Sequence, residues 1–252
     1  MRRATLLLAM VAAALLVGGG AAWAITKDCP TIEPCYGTSD DDVMHGNGKA
    51  NHLYGLGGED RLYAYAGIGD TLNGGKGDDQ LHGARGWDIY VFNDGWGEDS
   101  VFDPDVEISS LLNFRSVSTP VSIDLVPKSS TLVRAWSGTN RVFTPTNSRI
   151  DDAIGGRAND VIVGHDLQNL LSGQQGNDRI YGRAGRDQLV GGEGEDKLYG
   201  GSGGDDFLQG DSGDDVFFAK DGEVDSIFCG EGVDTVHKDP QDMEYDDCEK
   251  VR

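Results

Sequence analysis

Aspartate recurs along this chain at steps of nine or ten residues. It stands at Asp42, Asp60, Asp70, Asp79 and Asp88, and again at Asp160, Asp178, Asp187, Asp196, Asp206, Asp215, Asp225 and Asp234. Asn51 and Asn169 hold the second place of each block, as though one array had been copied. Carboxylates in register are oxygen donors for a hard cation, and in close pairs they also serve as general acids and bases. What surrounds each one decides between these chemistries.

Two residues after each Asp or Asn comes an apolar side chain. In the first block these are Met44, Leu53, Leu62, Leu72, Leu81 and Tyr90. In the second they are Ile162, Leu171, Ile180, Leu189, Leu198, Leu208, Phe217, Ile227 and Val236. Glycines tend to precede the Asp by five and by two places, where they permit the positive φ of a sharp turn. The first six residues of a unit therefore read as a turn. The last three read as a short strand with its middle side chain inward.

Two units complete a coil, so successive coils stack about 4.8 Å apart with turns on opposite sides. One side carries Asp160, Asp178, Asp196, Asp215 and Asp234; the other carries Asn169, Asp187, Asp206 and Asp225. A cation can then lie between a carboxylate and its partner one coil away, with turn carbonyls completing an oxygen shell. That shell suits calcium, whereas magnesium gives up its water too reluctantly. The competing reading, in which the aspartates merely form turns, leaves stacked carboxylates without a counter-charge. The pairs expected to be best are Asp60/Asp79, Asp70/Asp88, Asp178/Asp196, Asp187/Asp206 and Asp196/Asp215. Sites at Asn51, at Asn169 and at the glycine-poor turn Gly164-His165-Asp166-Leu167 should be weaker or absent. Glu223 replaces a glycine before Asp225, so that turn should depart from the pattern.

Gly74 to His82 and Gly191 to Tyr199 read G-G-x-G-x-D-x-(apolar)-x without departure. They resemble the nonapeptides of the repeats-in-toxin, or haemolysin-type, calcium-binding family. The resemblance covers about residues 37–92 and 155–238. Asp94-Gly95-Trp96-Gly97, Val121-Ser122-Ile123-Asp124-Leu125 and Ile150 to Gly156 in the joining segment also look like the family. It implies an all-β fold, a parallel β-roll solenoid, here in two arrays joined by an irregular β segment, with calcium as the cofactor.

The segments that must position these residues divide as follows. Residues 1–24 read as a signal peptide, with Arg2 and Arg3, the apolar run Leu6 to Val17, and Ala22-Trp23-Ala24 as a cleavage site. Gly18-Gly19-Gly20 interrupts the stretch and argues against an uncleaved anchor. Residues 25–36 form an N-terminal cap, 37–92 the first array, 93–149 the connecting segment, 150–238 the second array and 239–252 a tail. In an oxidising compartment the four cysteines are expected to pair locally, Cys29 with Cys35 and Cys229 with Cys248. Their spacings match no common zinc motif. The family's usual uncleaved C-terminal export signal does not fit such a chain, which weakens any toxin-like reading.

Composition narrows the function further. Glycine supplies 38 of 252 residues, and 43 acids against 21 bases give a formal charge of −22. Such a chain repels phosphate backbones and anionic lipid, so nucleic-acid and basic-patch membrane binding are not expected. No apolar helical segment follows residue 24, so no membrane insertion is expected after cleavage. The five histidines form no H-E-x-x-H, and Gly200-Gly201-Ser202-Gly203-Gly204 sits inside a repeat turn rather than on a nucleophile elbow. Only residues 93–149 leave room for catalysis, with Asp94, Glu98, Asp99, Asp103, Asp105 and Glu107 as its acids. Gly97 to Val101 echoes the repeat, so these acids are expected to extend or cap the first array. The leading expectation is an exported, non-enzymatic calcium-binding module, structural or surface-interacting, whose protein or glycan partner the sequence does not name. The alternative is a secreted hydrolase with a small active site in 93–149. An ice-binding face is disfavoured by the mixed outward pairs Arg61/Tyr63, Gln80/His82 and Lys197/Tyr199.

Overall fold

The computed structural model describes residues 25–65, 69–104, 108–125, 132–144, 148–244 and 248–251. The expected signal peptide, together with Asp105 and Glu107, lies outside the described residues. Among the described residues the protein is all-β. Outside the joining segment successive strands alternate between two sheets, which among the described residues have 14 and 11 strands. Among the described residues no helix is long and apolar enough to cross a membrane.

The nine-residue period sets the architecture directly. In the second array, Ile162, Ile180, Leu198, Phe217 and Val236 stand in register along parallel strands of one sheet. Leu171, Leu189, Leu208 and Ile227 do the same along the other. All nine are fully buried, so the two rows face each other across a thin core. The first array repeats this with Met44, Leu62 and Leu81 on one side and Leu53, Leu72 and Tyr90 on the other. In Val161–Val163, Val216–Phe218 and Thr235–His237 the outward neighbours of the core residue are half-buried. In-register stacking aligns them too: Tyr181, Tyr199, Phe218 and His237 form a column with ring centroids 4.5, 4.3 and 5.1 Å apart.

Several strands run longer than the expected three residues. Arg179–Ala184, Gln188–Glu193 and Lys197–Ser202 have six, because the glycine-bearing start of each turn also pairs with the neighbouring coil. The turn proper shrinks accordingly.

The irregular segment continues both sheets. Glu98–Phe102 pairs in parallel with Asn140–Thr144, which forms an antiparallel pair with Leu132–Ser137. That strand passes to Ser122–Asp124, which pairs in parallel with Val161–Val163 at the start of the second array. In the other sheet Ser110–Asn113, a strand not foreseen from the sequence, bridges Ile89–Val91 to Ile150–Ile154. Phe92, Trp96 and Phe114 fill this joint as a buried aromatic cluster. Both expected disulfides are present, Cys29–Cys35 and Cys229–Cys248. They fit an oxidising environment.

Candidate metal centres

Each Asp of the period sits immediately before its core strand, so the register that stacks the strands also stacks the carboxylates. One oxygen of each is committed to the backbone of the preceding coil. Asp42 N–H donates to Asp60 Oδ1 at 2.7 Å, and Asp60 N–H to Asp79 Oδ1 at 2.8 Å. Asp160, Asp178, Asp196 and Asp215 each donate in the same way to the next aspartate, ending at Asp234. On the opposite side Asn169 donates to Asp187, Asp187 to Asp206, and Asp206 to Asp225. Asn51 and Asp70 begin the equivalent row of the first array, donating to Asp70 and Asp88. All thirteen aspartates of the period are buried.

The rows run further than the nonapeptide pattern. Asp99 accepts the Asp79 amide, Ser110 Oγ accepts that of Asp88, Asp242 that of Asp225 and Glu249 that of Asp234. Of these only Asp99 carried a signal in sequence, its Gly97-x-Asp99 echo of the repeat. The others occupy the right register without the motif.

The second carboxylate oxygen divides the turns into two classes. Oδ2 of Asp60, Asp70, Asp79, Asp178, Asp187, Asp196, Asp206, Asp215, Asp225 and Asp234 is buried and has no hydrogen-bond partner. In Asp42, Asp88 and Asp160 that oxygen accepts the amide four places back, from Thr38, Ala84 and Gly156. Asn51 and Asn169 are capped likewise, by Asn47 and His165. For seven of these ten aspartates the difference lies in one backbone angle. Four places before Asp60, Asp79, Asp178, Asp187, Asp196, Asp215 and Asp234 stand Leu56, Gly75, Gln174, Arg183, Gly192, Asp211 and Gly230, all at positive φ between 74° and 118°. That conformation points the amide away from the carboxylate. Four of these residues are not glycine, and each holds the angle at a cost of about 1–2 kcal/mol.

Beside several of the free oxygens a glycine keeps the adjoining space clear of a side chain. A methyl group on Gly55 would lie 2.0 Å from Asp60 Oδ2 and 2.5 Å from the carbonyl oxygen of Gly74 in the next coil. On Gly191 it would lie 2.3 Å from Asp196 Oδ2 and 2.9 Å from the Gly210 carbonyl oxygen. The space a side chain would take is thus lined by oxygens of two adjacent coils, a donor set suited to a hard cation. Burial raises these carboxyls well above the ordinary 3.8: Asp178 to about 8, Asp79, Asp206, Asp215 and Asp225 to about 7, and Asp60, Asp187 and Asp196 to about 6. Neighbouring carboxylates add to the rise at most of them.

The family model described as RTX calcium-binding nonapeptide repeat (4 copies) matches residues 36–69, 68–95, 172–205 and 201–223. The chain carries RTX calcium-binding repeats. No curated protein matches it.

One turn of the solenoid supplies its own donors. Asp151 stands 18 residues before Asn169, in the row position of the coil before it. Its Oδ1 lies 2.7 Å from His165 Nε2, and its Oδ2 accepts from Arg149 Nε at 2.6 Å. Burial pushes the Asp151 carboxyl up, but the hydrogen bonds from His165 and Arg149 outweigh it and hold the group below the usual range. Asn169 Nδ2 donates to the Asp151 carbonyl. Protein donors and basic groups fill the glycine-poor turn where weak binding was expected.

Three acids of the joining segment accept hydrogen bonds within the protein. Asp94 caps Ser118 through its amide and hydroxyl, Asp99 extends a carboxylate row, and Asp103 accepts the Tyr90 hydroxyl at 3.1 Å. Ser202 Oγ reaches only the Arg183 carbonyl, at 3.5 Å.

Proposed function

We propose that this protein is an exported calcium-binding module whose coils are ordered by calcium held between them. The observation that carries this reading is the set of ten buried Oδ2 atoms without donors, recurring along both edges of the solenoid. An anionic oxygen taken out of water without a donor costs several kcal/mol unless a cation replaces the lost solvation. Calcium accepts six to eight oxygens in flexible geometry and so tolerates a shell assembled from successive coils.

The thirteen aspartates from Asp42 to Asp234 are the proposed ligands. Asp60, Asp79, Asp178, Asp187, Asp196, Asp206, Asp215, Asp225 and Asp234 would be the strongest, followed by Asp70. Carbonyls such as those of Gly74 and Gly210 would contribute from the adjacent coil. Asp42, Asp88 and Asp160 would bind least, since the chain already caps them. Bound calcium supplies the positive charge that lets neighbouring carboxylates stack; the strands supply the spacing.

The basic-apolar-small run of residues 1–24 and the two disulfides support export to the cell exterior, where calcium is millimolar. The protein acts there as a structural or surface-interaction module. The division into a cap at 25–36, arrays at 37–92 and 150–238, a joint at 93–149 and a tail at 239–252 follows the same reading.

The test is circular dichroism and small-angle scattering of the exported protein in chelator, in millimolar magnesium and in millimolar calcium. Calcium alone should produce a β spectrum and compaction. A chain equally ordered and compact in all three would contradict the proposal.

A further inference from the structure

The turn before Asp225 breaks the repeat. Glu223 stands where a glycine belongs, and the positive φ moves to Gly222, at 97°. This irregular loop brings in an extra acid. Carboxylate oxygens of Asp206, Asp221 and Asp225 lie within 4.8 Å of one another. Asp206 and Asp225 are 1% and 0% exposed, and Oδ2 of all three residues is buried without a partner. Their other oxygens are engaged: Asp206 Oδ1 accepts the Asp187 amide, Asp225 Oδ1 that of Asp206, and Asp221 Oδ1 that of Glu223.

We propose that Asp206, Asp221 and Asp225 together form a three-carboxylate calcium site, and that it is the tightest site in the chain. The inference rests on the calcium reading above and goes beyond it in naming Asp221, which lies outside the repeat register, as a ligand. Oxygens bound to one calcium at 2.3–2.6 Å are at most about 5 Å apart, so the observed cluster can close on a single ion. The regular turns offer one carboxylate from each of two coils. Here a third is added, and affinity at oxygen sites rises with the number of charged ligands. Two of the three carboxylates are held by row hydrogen bonds, so only the exposed loop bearing Asp221 has to adjust.

Calcium titration calorimetry on the full exported chain tests this, with Asp221→Asn and with Asp205→Asn as a charge-matched control at an exposed neighbouring acid. The unaltered chain and Asp205→Asn should each show one equivalent binding ahead of the rest. Asp221→Asn should weaken that equivalent about tenfold or more and leave the others in place. Carboxyl footprinting of the unaltered chain provides a second readout independent of any variant. The first equivalent of calcium should protect Asp206, Asp221 and Asp225 together. Calcium binding that is unchanged in Asp221→Asn, or Asp221 left fully reactive by the first equivalent, would overturn the site alone. Absence of calcium binding in all three proteins would overturn the calcium reading itself and the site with it.

Discussion

The Asp178 amide donates to Oδ1 of Asp196 at 2.7 Å, while Oδ2 of each carboxylate stays buried and unpartnered. The backbone thus sets the spacing of the row and leaves one oxygen per coil for something the chain itself does not supply. Asp196 repeats the relationship with Asp215, so it borders two gaps between coils.

Neutralising Asp196 should therefore cost two sites. At tenfold excess over its dissociation constant, each site adds about 1.4 kcal/mol, so Asp196→Asn should lose about 3 kcal/mol of calcium-dependent stability. Asp42→Asn should lose far less, because both Asp42 oxygens already accept amides. Urea denaturation at fixed millimolar calcium makes the comparison. Equal losses in the two variants would show that the free oxygen is irrelevant.

The glycine five places before the aspartate should be required for space rather than for its backbone angle. Gly191→Ala places a methyl 2.3 Å from Asp196 Oδ2 and should raise the calcium midpoint severalfold. Gly57→Ala meets nothing closer than 3.6 Å and should leave the midpoint in place. Matching calcium midpoints for the two variants would contradict the oxygen-lined gap.

Acid should order the metal-free protein. Burial raises Asp178 to about 8 and Asp79, Asp206, Asp215 and Asp225 to about 7, from an ordinary 3.8. Between those limits the folded chain binds more protons than the unfolded one, so stability falls as pH rises through the window. In chelator, β structure should be greatest near pH 4 and decline toward pH 8, where calcium should restore it. Metal-free protein that gains order from pH 4 to pH 8 would refute the assignment.

The Cys229–Cys248 bridge spans 19 residues and closes the last coil, in which Asp242 and Glu249 accept the Asp225 and Asp234 amides. Replacing both cysteines with serine should cost about 3 kcal/mol. Hydrogen exchange should rise first in 226–251 and spare the strands around Leu171 and Leu189. Uniform loss of protection across the chain would mean that the bridge does more than clamp an end.

Period and residue type made the rows legible: Asp178, Asp196 and Asp215 on one edge, Asp187 and Asp206 on the other, each beside a core residue such as Leu198 or Leu208. Both disulfides could be read as well. The state of Oδ2 could not, because it turns on the φ of residues such as Leu56, Gln174 and Arg183, whose side chains do not announce a left-handed backbone. Ser110, Asp151, Asp242 and Glu249 join the rows through the path of the joint and the tail, where no repeat unit marks them. Asp221 was hidden for the opposite reason, lying in a turn that the pattern marked only as defective.

The most direct measurement is an anomalous difference map from crystals grown in millimolar calcium. Calcium peaks are expected beside Oδ2 of Asp60, Asp79, Asp178, Asp187, Asp196, Asp206 and Asp215, and none at Asn51, Asn169 or the Asp151–His165 pair. A map without peaks between the coils, or with peaks only at exposed acids such as Asp205 and Glu223, would contradict the calcium reading.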